Sequence, residues 1–465
     1  MSGNILVLLG AGASIPFIQK SKGETLTSAY LKNQLVSGER WRGIASKFVK
    51  NCLDKEIKKK FEEHGSEIIR AITDLIRKIE KVLWDHRRNF YNFEHIIEIL
   101  DQVSTYRRQT DDIGNYINAA IEVHRQCDKN LKEPSFTNRQ VKDFESDNGT
   151  DDQIWWDVVP YLAREIIVDA IFDLWQTSQK KEEGIYLLKN FLAGLLSKYN
   201  RVCVYTLNYD PLLWEAVKFL PNIQNIQTGF KKDKFYPKFY PELFLKSKEG
   251  LQIAFLHGFL GFVPCGGTIC LNENYEEAQR RRMELGGHQF ESIPSIGNYF
   301  NTFLVTGINK FFTFLQQPFA SYLFKFALDL ADADILITIG YSFRDHHLNS
   351  LIKNYVLLSK QKPVIMVFKK EWDYVRSIYK KCIGKYYMDE IPIIPEENLE
   401  DDLICALCHT FETQAACIKK VPGACLYQHG SNPYYLYFCG AERFFTEEGL
   451  RIISDVYKKA IKDKV

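Results

Sequence analysis

Residues 5–14, I-L-V-L-L-G-A-G-A-S, join an apolar run to a turn of small residues. The same arrangement occurs in three further segments, 202–210 (V-C-V-Y-T-L-N-Y-D), 251–258 (L-Q-I-A-F-L-H-G) and 333–342 (A-D-I-L-I-T-I-G-Y-S). Short apolar runs closed by turn residues are typical of buried strands in a parallel sheet. Ligands of open α/β sheets bind beyond the carboxyl ends of the strands. We therefore expect the glycines, an Asn/Asp pair and a histidine to face one crevice, which favours an enzyme.

The composition is that of an ordinary globular protein. The chain has 465 residues, enough for two or three domains of about 150 residues each. Its 60 Lys and Arg nearly balance its 58 Asp and Glu, so the charge does not require a nucleic-acid partner. The 11 cysteines are scattered, and no apolar run reaches the length of about 18 residues that a membrane span needs. These features predict a cytoplasmic protein without a disulfide framework or a membrane span.

A large helical insertion is predicted between the first strand and the second. Apolar residues recur at helical spacing in the segments 67–84, 93–104, 113–126, 156–176 and 184–199. Residues 128–153 are polar and are expected to form an exposed connection. The insertion therefore covers about residues 40–200.

The remainder of the chain completes the predicted α/β fold. A further strand is expected at 363–368, and the C-terminal part is expected to hold a strand at Tyr434–Cys439 and a helix at 446–462. We predict a Rossmann-like parallel sheet in a cofactor-binding catalytic domain, residues 1–390, followed by a small α/β extension, residues 391–465.

The glycine turn by itself is a weak signal. Gly10 and Gly12 follow a strand and precede a possible helix, where backbone amides can bind a phosphate. The dinucleotide fingerprint G-x-G-x-x-G requires a third glycine where this chain has Ile15, which weakens a dehydrogenase interpretation. The turn could also be only a tight connection.

Together the four clusters resemble the motifs of the sirtuin family. Residues 10–14 match its G-A-G-A-S loop, and residues 206–210, T-L-N-Y-D, are similar to its T-Q-N-x-D segment. Residues 256–258 match its L-H-G catalytic segment, and residues 340–342 are similar to its G-x-S turn. The matches occur in the order found in the family and are scattered over residues 1–370. The resemblance implies a sirtuin-like fold that binds NAD.

Three departures separate the chain from protein-deacylating sirtuins. Those enzymes carry two C-x-x-C pairs that hold zinc, whereas only Cys265 and Cys270 follow His257 here, at C-x4-C spacing. The stretch after Ser14, I-P-F-I-Q-K, lacks the G-I-P-D-F-R sequence associated with acyl-peptide binding. The insertion before Asn208 is also much longer than in deacylases.

Two other segments are similar to the sirtuin-like effectors of bacterial antiphage systems. These are residues 339–345, I-G-Y-S-F-R-D, and residues 92–94, N-F-E. Members of that branch typically hydrolyse NAD and so deplete the infected cell of NAD. The resemblance implies an NAD hydrolase that acts in abortive infection.

Candidate roles follow from the chemistry of the residues and from the resemblance. Asn208 can hold a water and a ribose hydroxyl at once, and His257 can accept a proton at cellular pH, so these two are the candidate catalytic residues. The resemblance implies that Asp210 bonds the nicotinamide carboxamide. The other candidate contacts to NAD are the diphosphate-binding residues Gly10, Ala11, Gly12, Ala13 and Ser14 and the ribose-contacting turn Gly340, Tyr341 and Ser342. We expect NAD to be the substrate. Nicotinamide is a good leaving group, so we expect the reaction to need no metal.

Several of these residues also have a purely structural interpretation. A lone histidine at a strand end is often structural. The run Asp345-His346-His347 could bind a metal, but adjacent histidines do not easily face one ion, so we expect Asp345 to cap a helix. Glu94 could contact the cofactor or cap a helix.

Two further segments have open alternatives. Zinc-like elements without a clean second C-x-x-C pair are present at Cys405, Cys408, His409, Cys417, Cys425, His429 and Cys439. Residues 230–240, F-K-K-D-K-F-Y-P-K-F-Y, could stack on nucleic acid, but a surface loop that contacts a protein partner is favoured.

The leading hypothesis is hydrolysis of NAD to ADP-ribose and nicotinamide. The first rival is an NAD-dependent protein deacylase, and the second is a non-catalytic subunit that binds NAD or ADP-ribose. A cell must restrain an NAD hydrolase, so we expect a homo-oligomer or a complex with a companion defence protein, through helices near residues 92–94.

Overall fold

The structure is a computed structural model. It describes residues 3–20, 26, 28–51, 153–221, 226–233, 235–265, 268–286, 304–305, 314, 316–341, 345, 347–352, 362–367, 417–421, 424–429, 432–437 and 440–462, together with single positions between 55 and 101. The helix predicted at 113–126 lies outside these residues, and so do the candidate residues Asn92, Ser342, His346, Cys405, Cys408, His409 and Cys439.

Nine strands of the described chain form a central sheet. With all strands numbered along the chain, these are β1 Asn4–Leu9, β2 Arg201–Thr206, β3 Ile226–Gln227, β6 Gly250–Phe255, β9 Ile335–Ile339, β10 Val364–Val367, β11 Cys417–Val421, β12 Ala424–His429 and β13 Asn432–Tyr437. Their spatial order is β11-β12-β13-β10-β9-β1-β2-β6-β3. All neighbours from β13 to β3 are parallel, whereas β12 is antiparallel to both β11 and β13.

The predicted parallel sheet is confirmed. The strands expected at 5–9, 202–207, 251–256, 333–339 and 363–368 are β1, β2, β6, β9 and β10. Every residue of β2, β9 and β10 is buried, because helices cover both faces of a parallel sheet. This explains why these strands are nearly continuous apolar runs and do not alternate with polar residues.

The C-terminal residues extend the central sheet. The strand expected at Tyr434–Cys439 is β13. Its residues Tyr434 to Tyr437 pair in parallel with Val364 to Val367 of β10. The helix predicted at 446–462 is also confirmed and begins one residue later, at Glu447.

Ten helices of the described chain have defined bounds. They are α1 Ser28–Leu35, α2 Gly38–Asn51, α3 Gln153–Thr177, α4 Lys181–Leu196, α5 Leu212–Lys218, α6 Pro241–Leu245, α7 Tyr275–Gly286, α8 Phe319–Asp332, α9 Gly440–Phe444 and α10 Glu447–Lys462. The helices predicted at 156–176 and 184–199 are α3 and α4. The positions described between 69 and 77 and between 93 and 101 are helical, as predicted there. None of the described helices is both long and apolar enough to cross a membrane.

One buried ion pair joins α3 to the helical residue Asp101, and a second joins α3 to α7. Arg164 of α3 donates to Asp101 at 2.7 and 2.5 Å. The next residue, Glu165, accepts from Arg282 of α7 at 2.8 Å. Arg282 also donates to the carbonyl of Leu260, close to the segment that carries His257. Removing one partner of such a buried pair is costly, because it leaves an uncompensated charge.

A small antiparallel sheet, in the order β4-β5-β8-β7, corrects one prediction. Its strands are β4 Phe230–Lys231, β5 Lys238–Phe239, β7 Phe262–Cys265 and β8 Thr268–Leu271. Residues 230–240 were expected to form a surface loop, but Phe239 is buried against Phe230 and Tyr322. Burial of the Phe239 ring outweighs the charge of the surrounding lysines, whereas the ring of Phe235 remains almost fully exposed.

A second correction concerns the cysteines. No disulfide framework was expected from the sequence, but the structure joins Cys265 and Cys270 in a disulfide across the β7–β8 hairpin, with 5.7 Å between their Cα atoms. Antiparallel neighbours lie at a separation that a disulfide can bridge. In contrast, Cys203 of β2 is free and buried.

Candidate active site

The four strand ends that carry the predicted site residues lie side by side. Leu9 of β1 is paired with Thr206 of β2 on one side and with Ile339 of β9 on the other. Thr206 is in turn paired with Phe255 of β6. Because the strands are parallel, the segments that follow them emerge at the same edge of the sheet. The four segments that carry the candidate residues therefore leave the sheet at the same edge.

The glycine turn lies at the topological switch point. From β1 the chain adds β2 and β6 on one side, and then β9, β10 and β13 on the other, so the direction of winding reverses between β1 and β9. Open α/β sheets bind ligands at such a point, beyond the carboxyl ends of the strands.

Steric contact explains the glycines on both sides of this point. Gly340 has φ +62°, and a Cβ on it would lie 2.3 Å from the backbone nitrogen of Ala13. A Cβ on Gly10 would lie 2.5 Å from the carbonyl oxygen of Gly340. The two turns therefore touch backbone to backbone, which only residues without a side chain allow.

Most amides of the glycine turn already have acceptors within the protein. The Gly10 amide donates to Ile339 at 2.9 Å, and the Gly12 amide donates to Gly340 at 3.0 Å. The amides of Ala13 and Ser14 donate within the turn. In the described part of the chain, Ala11 is the one residue of the five whose amide has no acceptor. The residues after Gly10 form a single 3₁₀ turn, Ala11–Ala13, and not the expected helix start.

Asn208 is fixed by the glycine turn. Its Nδ2 donates to the Ser14 hydroxyl at 2.8 Å, and its backbone amide donates to the Thr206 hydroxyl at 3.0 Å. Its Oδ1 is buried and has no hydrogen-bond partner among the described residues. The carboxamide is thus oriented by its nitrogen, and its oxygen remains free to accept a bond from a ligand.

Asp210 lies two residues further on and is almost fully buried. Its Oδ1 accepts from the Leu212 amide at 3.0 Å, where α5 begins, and its Oδ2 has no hydrogen-bond partner among the described residues. Burial raises the pKa of this carboxyl to about 6, although the Ser14 hydroxyl and the Leu212 amide both lower it. Asp210 therefore combines a structural contact with an unpaired oxygen near Asn208.

His257 is buried two residues beyond the end of β6 and pairs with Asp345, a carboxylate that was expected only to cap a helix. The distance between its Nε2 and Oδ2 of Asp345 is 2.9 Å. Its backbone carbonyl accepts from the Val305 amide at 2.8 Å, and its ring lies 6.4 Å from that of Tyr209. His257 and Asn208 each lie two residues beyond a paired position, Phe255 of β6 and Thr206 of β2.

Asp345 confirms one prediction and adds a contact. Its Oδ1 accepts from the Leu348 amide at 3.1 Å, so it caps the helical residues 347–352, as expected. The hydrogen bond that its other oxygen forms with His257 was not predicted from the sequence, because the two residues are 88 positions apart. A carboxylate shortly after the turn that follows β9 was the available signal.

The turn after β9 is only partly described. The Gly340 amide donates to Val367 of β10, and the buried Tyr341 hydroxyl donates to Asn349 at 2.6 Å. Tyr341 therefore supports the helix that Asp345 caps. Ser342, the predicted ribose contact, lies outside the described residues.

Of the remaining candidates, the described residues include Glu94, His347, Cys417, Cys425 and His429. Glu94 is half-buried on a helical segment whose neighbour Phe93 is buried. Among the described residues, no three His, Cys, Asp or Glu side chains are grouped as metal ligands.

No protein-family model matches the chain, and no curated protein matches it.

Proposed function

We propose that this chain binds NAD at the carboxyl edge of the sheet and hydrolyses its nicotinamide–ribose bond. The observation that supports the proposal is that Asn208 and His257 each follow, by two residues, the paired ends of β2 and β6, with Asn208 held by Ser14 of the glycine turn. Both lie next to the switch point, where a dinucleotide binds in folds of this class.

The chemistry requires a stabilised ribose cation and an activated water. The bond between C1′ and the nicotinamide nitrogen breaks, and its electron pair leaves with nicotinamide. A water oxygen then bonds to C1′ and its proton passes to His257. The unpaired Asn208 Oδ1 accepts from that water or from a ribose hydroxyl, which holds the nucleophile at the reacting face.

Asp210 is suited to the nicotinamide carboxamide. With a pKa of about 6, its buried carboxyl is mostly ionised at neutral pH but takes up a proton more readily than an ordinary carboxyl. The carboxylate accepts from the carboxamide NH₂, and the protonated form donates to the carboxamide oxygen. Either bond gives the unpaired Oδ2 a partner.

We extend the proposal to the family suggested by the motifs. The chain would be a sirtuin-like NAD hydrolase, similar to the effectors of bacterial antiphage systems, and its activity would serve abortive infection. The motif order, the glycine contact at the switch point and the Asn208–Ser14 bond support this assignment.

One experiment separates the proposed hydrolase from its two rivals. The purified chain is incubated with NAD alone and with NAD plus an acetylated peptide, and nicotinamide and ADP-ribose are quantified. Loss of NAD without peptide supports hydrolysis, whereas loss that depends on peptide indicates a deacylase. Binding without turnover, measured by calorimetry, indicates a non-catalytic module.

Matched variants connect the activity to the site. Asn208→Ala removes the proposed water-holding group. Asn51→Ala is its control, because the Asn51 side chain bonds only the Lys47 carbonyl of its own helix, at 2.7 Å. Hydrolysis that survives in Asn208→Ala to the same degree as in Asn51→Ala would exclude this site.

Restraint of the enzyme is expected to come from assembly. The same preparations are measured by light scattering and assayed for NAD turnover, with and without a companion protein from the same defence locus. We expect turnover to rise with self-association or with the partner. A monomer with full turnover on its own would contradict this part of the proposal.

A further inference from the structure

We propose that Asp345 is a positioning residue for His257, which fixes the ring and its tautomer so that Nδ1 is the nitrogen that accepts the proton. This inference rests on the proposed hydrolysis. It assigns a role to a carboxylate that the motifs indicated only as a helix cap.

The contact between the two groups is short and buried. The His257 Nε2 and Asp345 Oδ2 atoms are 2.9 Å apart, and the side chains are only 7% and 4% exposed. A carboxylate in this position accepts the ring N–H, and such charge-assisted bonds are stronger than neutral ones. The proton is therefore held on Nε2.

The opposite ring nitrogen is left available. Among the described residues, no group bonds to Nδ1 of His257, and Nδ1 is not one of the fully buried unpaired atoms. A ring with its proton on Nε2 has its lone pair on Nδ1. This is the nitrogen that can take a proton from water.

Asp345 itself is held at several points. Its Oδ1 accepts from Leu348, and its backbone carbonyl accepts from the Asn349 amide at 2.8 Å. The Tyr341 hydroxyl, which donates to Asn349 at 2.6 Å, also lies 3.4 Å from that carbonyl. Asp345 thus cannot follow a rotation of the His257 ring, so the pair has one geometry.

Two substitutions separate positioning of His257 from helix capping. Asp345→Asn keeps an oxygen for the Leu348 amide, and Asn is as good a cap as Asp. It removes the negative charge and allows the amide NH₂ to donate to Nε2, which favours the wrong tautomer. Asp345→Ala removes both the cap and the charge. A cap alone predicts that only the Ala variant is impaired, whereas positioning predicts that both are.

Kinetics, binding and the tautomer are measured on the full-length chain. We expect Asp345→Asn to lower kcat by up to about 10⁴-fold, the loss known when Asn replaces the carboxylate that orients the histidine of a Ser-His-Asp triad. The Kd for NAD should change by less than about threefold, because the carboxylate does not touch the ligand. Ring ¹⁵N shifts, assigned by their loss in His257→Ala, should show Nε2 protonated in the wild type and a changed tautomer in Asp345→Asn. Asp74→Asn, an exposed carboxylate paired with Arg77, is the matched control and should behave as wild type.

The results decide the inference independently of the hydrolase proposal. Wild-type kcat and an unchanged tautomer in Asp345→Asn, with loss only in Asp345→Ala, would reduce Asp345 to a cap and overturn the inference. If the wild-type chain does not cleave NAD, the proposed function fails and the ring shifts alone decide. A tautomer change in Asp345→Asn then supports positioning, and its absence refutes it.

Discussion

Replacement of Gly340 with alanine tests the backbone contact at the switch point. Gly340 has φ +62°, and its Cβ would lie 2.3 Å from both the Ala13 nitrogen and the Gly12 carbonyl carbon. These are backbone atoms, so they cannot rotate away as the end of a side chain could. The left-handed conformation costs about 1–2 kcal/mol for a non-glycine residue. Forced overpacking costs about 1–3 kcal/mol more, so we expect a total loss of about 2–5 kcal/mol.

The assay compares this variant with a glycine that has open space. A Cβ on Gly43 in α2 would meet nothing within 4 Å. Alanine in a helix interior is favoured over glycine by about 0.5–1 kcal/mol. Gly340→Ala should therefore lower the thermal melting midpoint, measured by circular dichroism, and Gly43→Ala should raise it. NAD turnover should fall only in Gly340→Ala, because displacement of the turn moves Ser14 and with it Asn208.

The reasoning fails if the two alanines behave alike. A Gly340→Ala midpoint at or above the wild-type value would show that the turns can separate without cost. A lowered midpoint with full NAD turnover would show that the contact stabilises the fold but does not place Asn208.

Three further predictions concern the candidate site. Asn208→Ala should lower NAD turnover by at least about 100-fold while the chain stays folded by circular dichroism, and near-normal turnover would remove Asn208 from the mechanism. His257→Ala should abolish turnover while calorimetry still detects NAD binding, whereas retained hydrolysis would indicate a structural histidine. Burial raises the Asp210 pKa to about 6, so the native state favours its protonated form, and the stability that it contributes is lost as pH rises from about 4 through 6. Asp210→Asn should therefore raise the melting midpoint more at pH 7 than at pH 4, and an equal effect at both would contradict the raised pKa.

The sheet could be predicted from the sequence because its signal is local. β2 and β9 are buried along their whole length, so each is a nearly continuous apolar run, and each ends in turn residues. The residues just past each run were therefore visible as site candidates. The two-residue strands β3, β4 and β5 have no comparable pattern in the sequence. In the segment that holds β4 and β5, the burial of Phe239 in an aromatic cluster becomes visible only in the structure.

The contacts inside the site were not predictable, because they join distant positions. Ser14 and Asn208 are 194 residues apart, and their bond depends on the pairing of β1 with β2. The bond from His257 to Asp345 likewise depends on how the turn after β9 meets the end of β6. A residue's local sequence can indicate a cap, as it did for Asp345, but it carries no information about which distant group the second oxygen contacts.

The polar groups at this edge are incompletely satisfied, and that is the strongest physical reason to expect a ligand there. A buried polar atom without a partner costs about 1–3 kcal/mol. Asn208 Oδ1 and Asp210 Oδ2 are both in this condition, within three residues of chain. The Ser14 hydroxyl accepts a hydrogen bond from the side-chain amide of Asn208. It has a single proton to donate, so it cannot satisfy both Asn208 Oδ1 and Asp210 Oδ2. Replacing both side chains with apolar ones would remove the cost, yet the chain keeps an amide and a carboxyl beside a phosphate-type turn. A ligand with hydroxyl and carboxamide donors, such as the nicotinamide riboside half of NAD, would supply the missing partners.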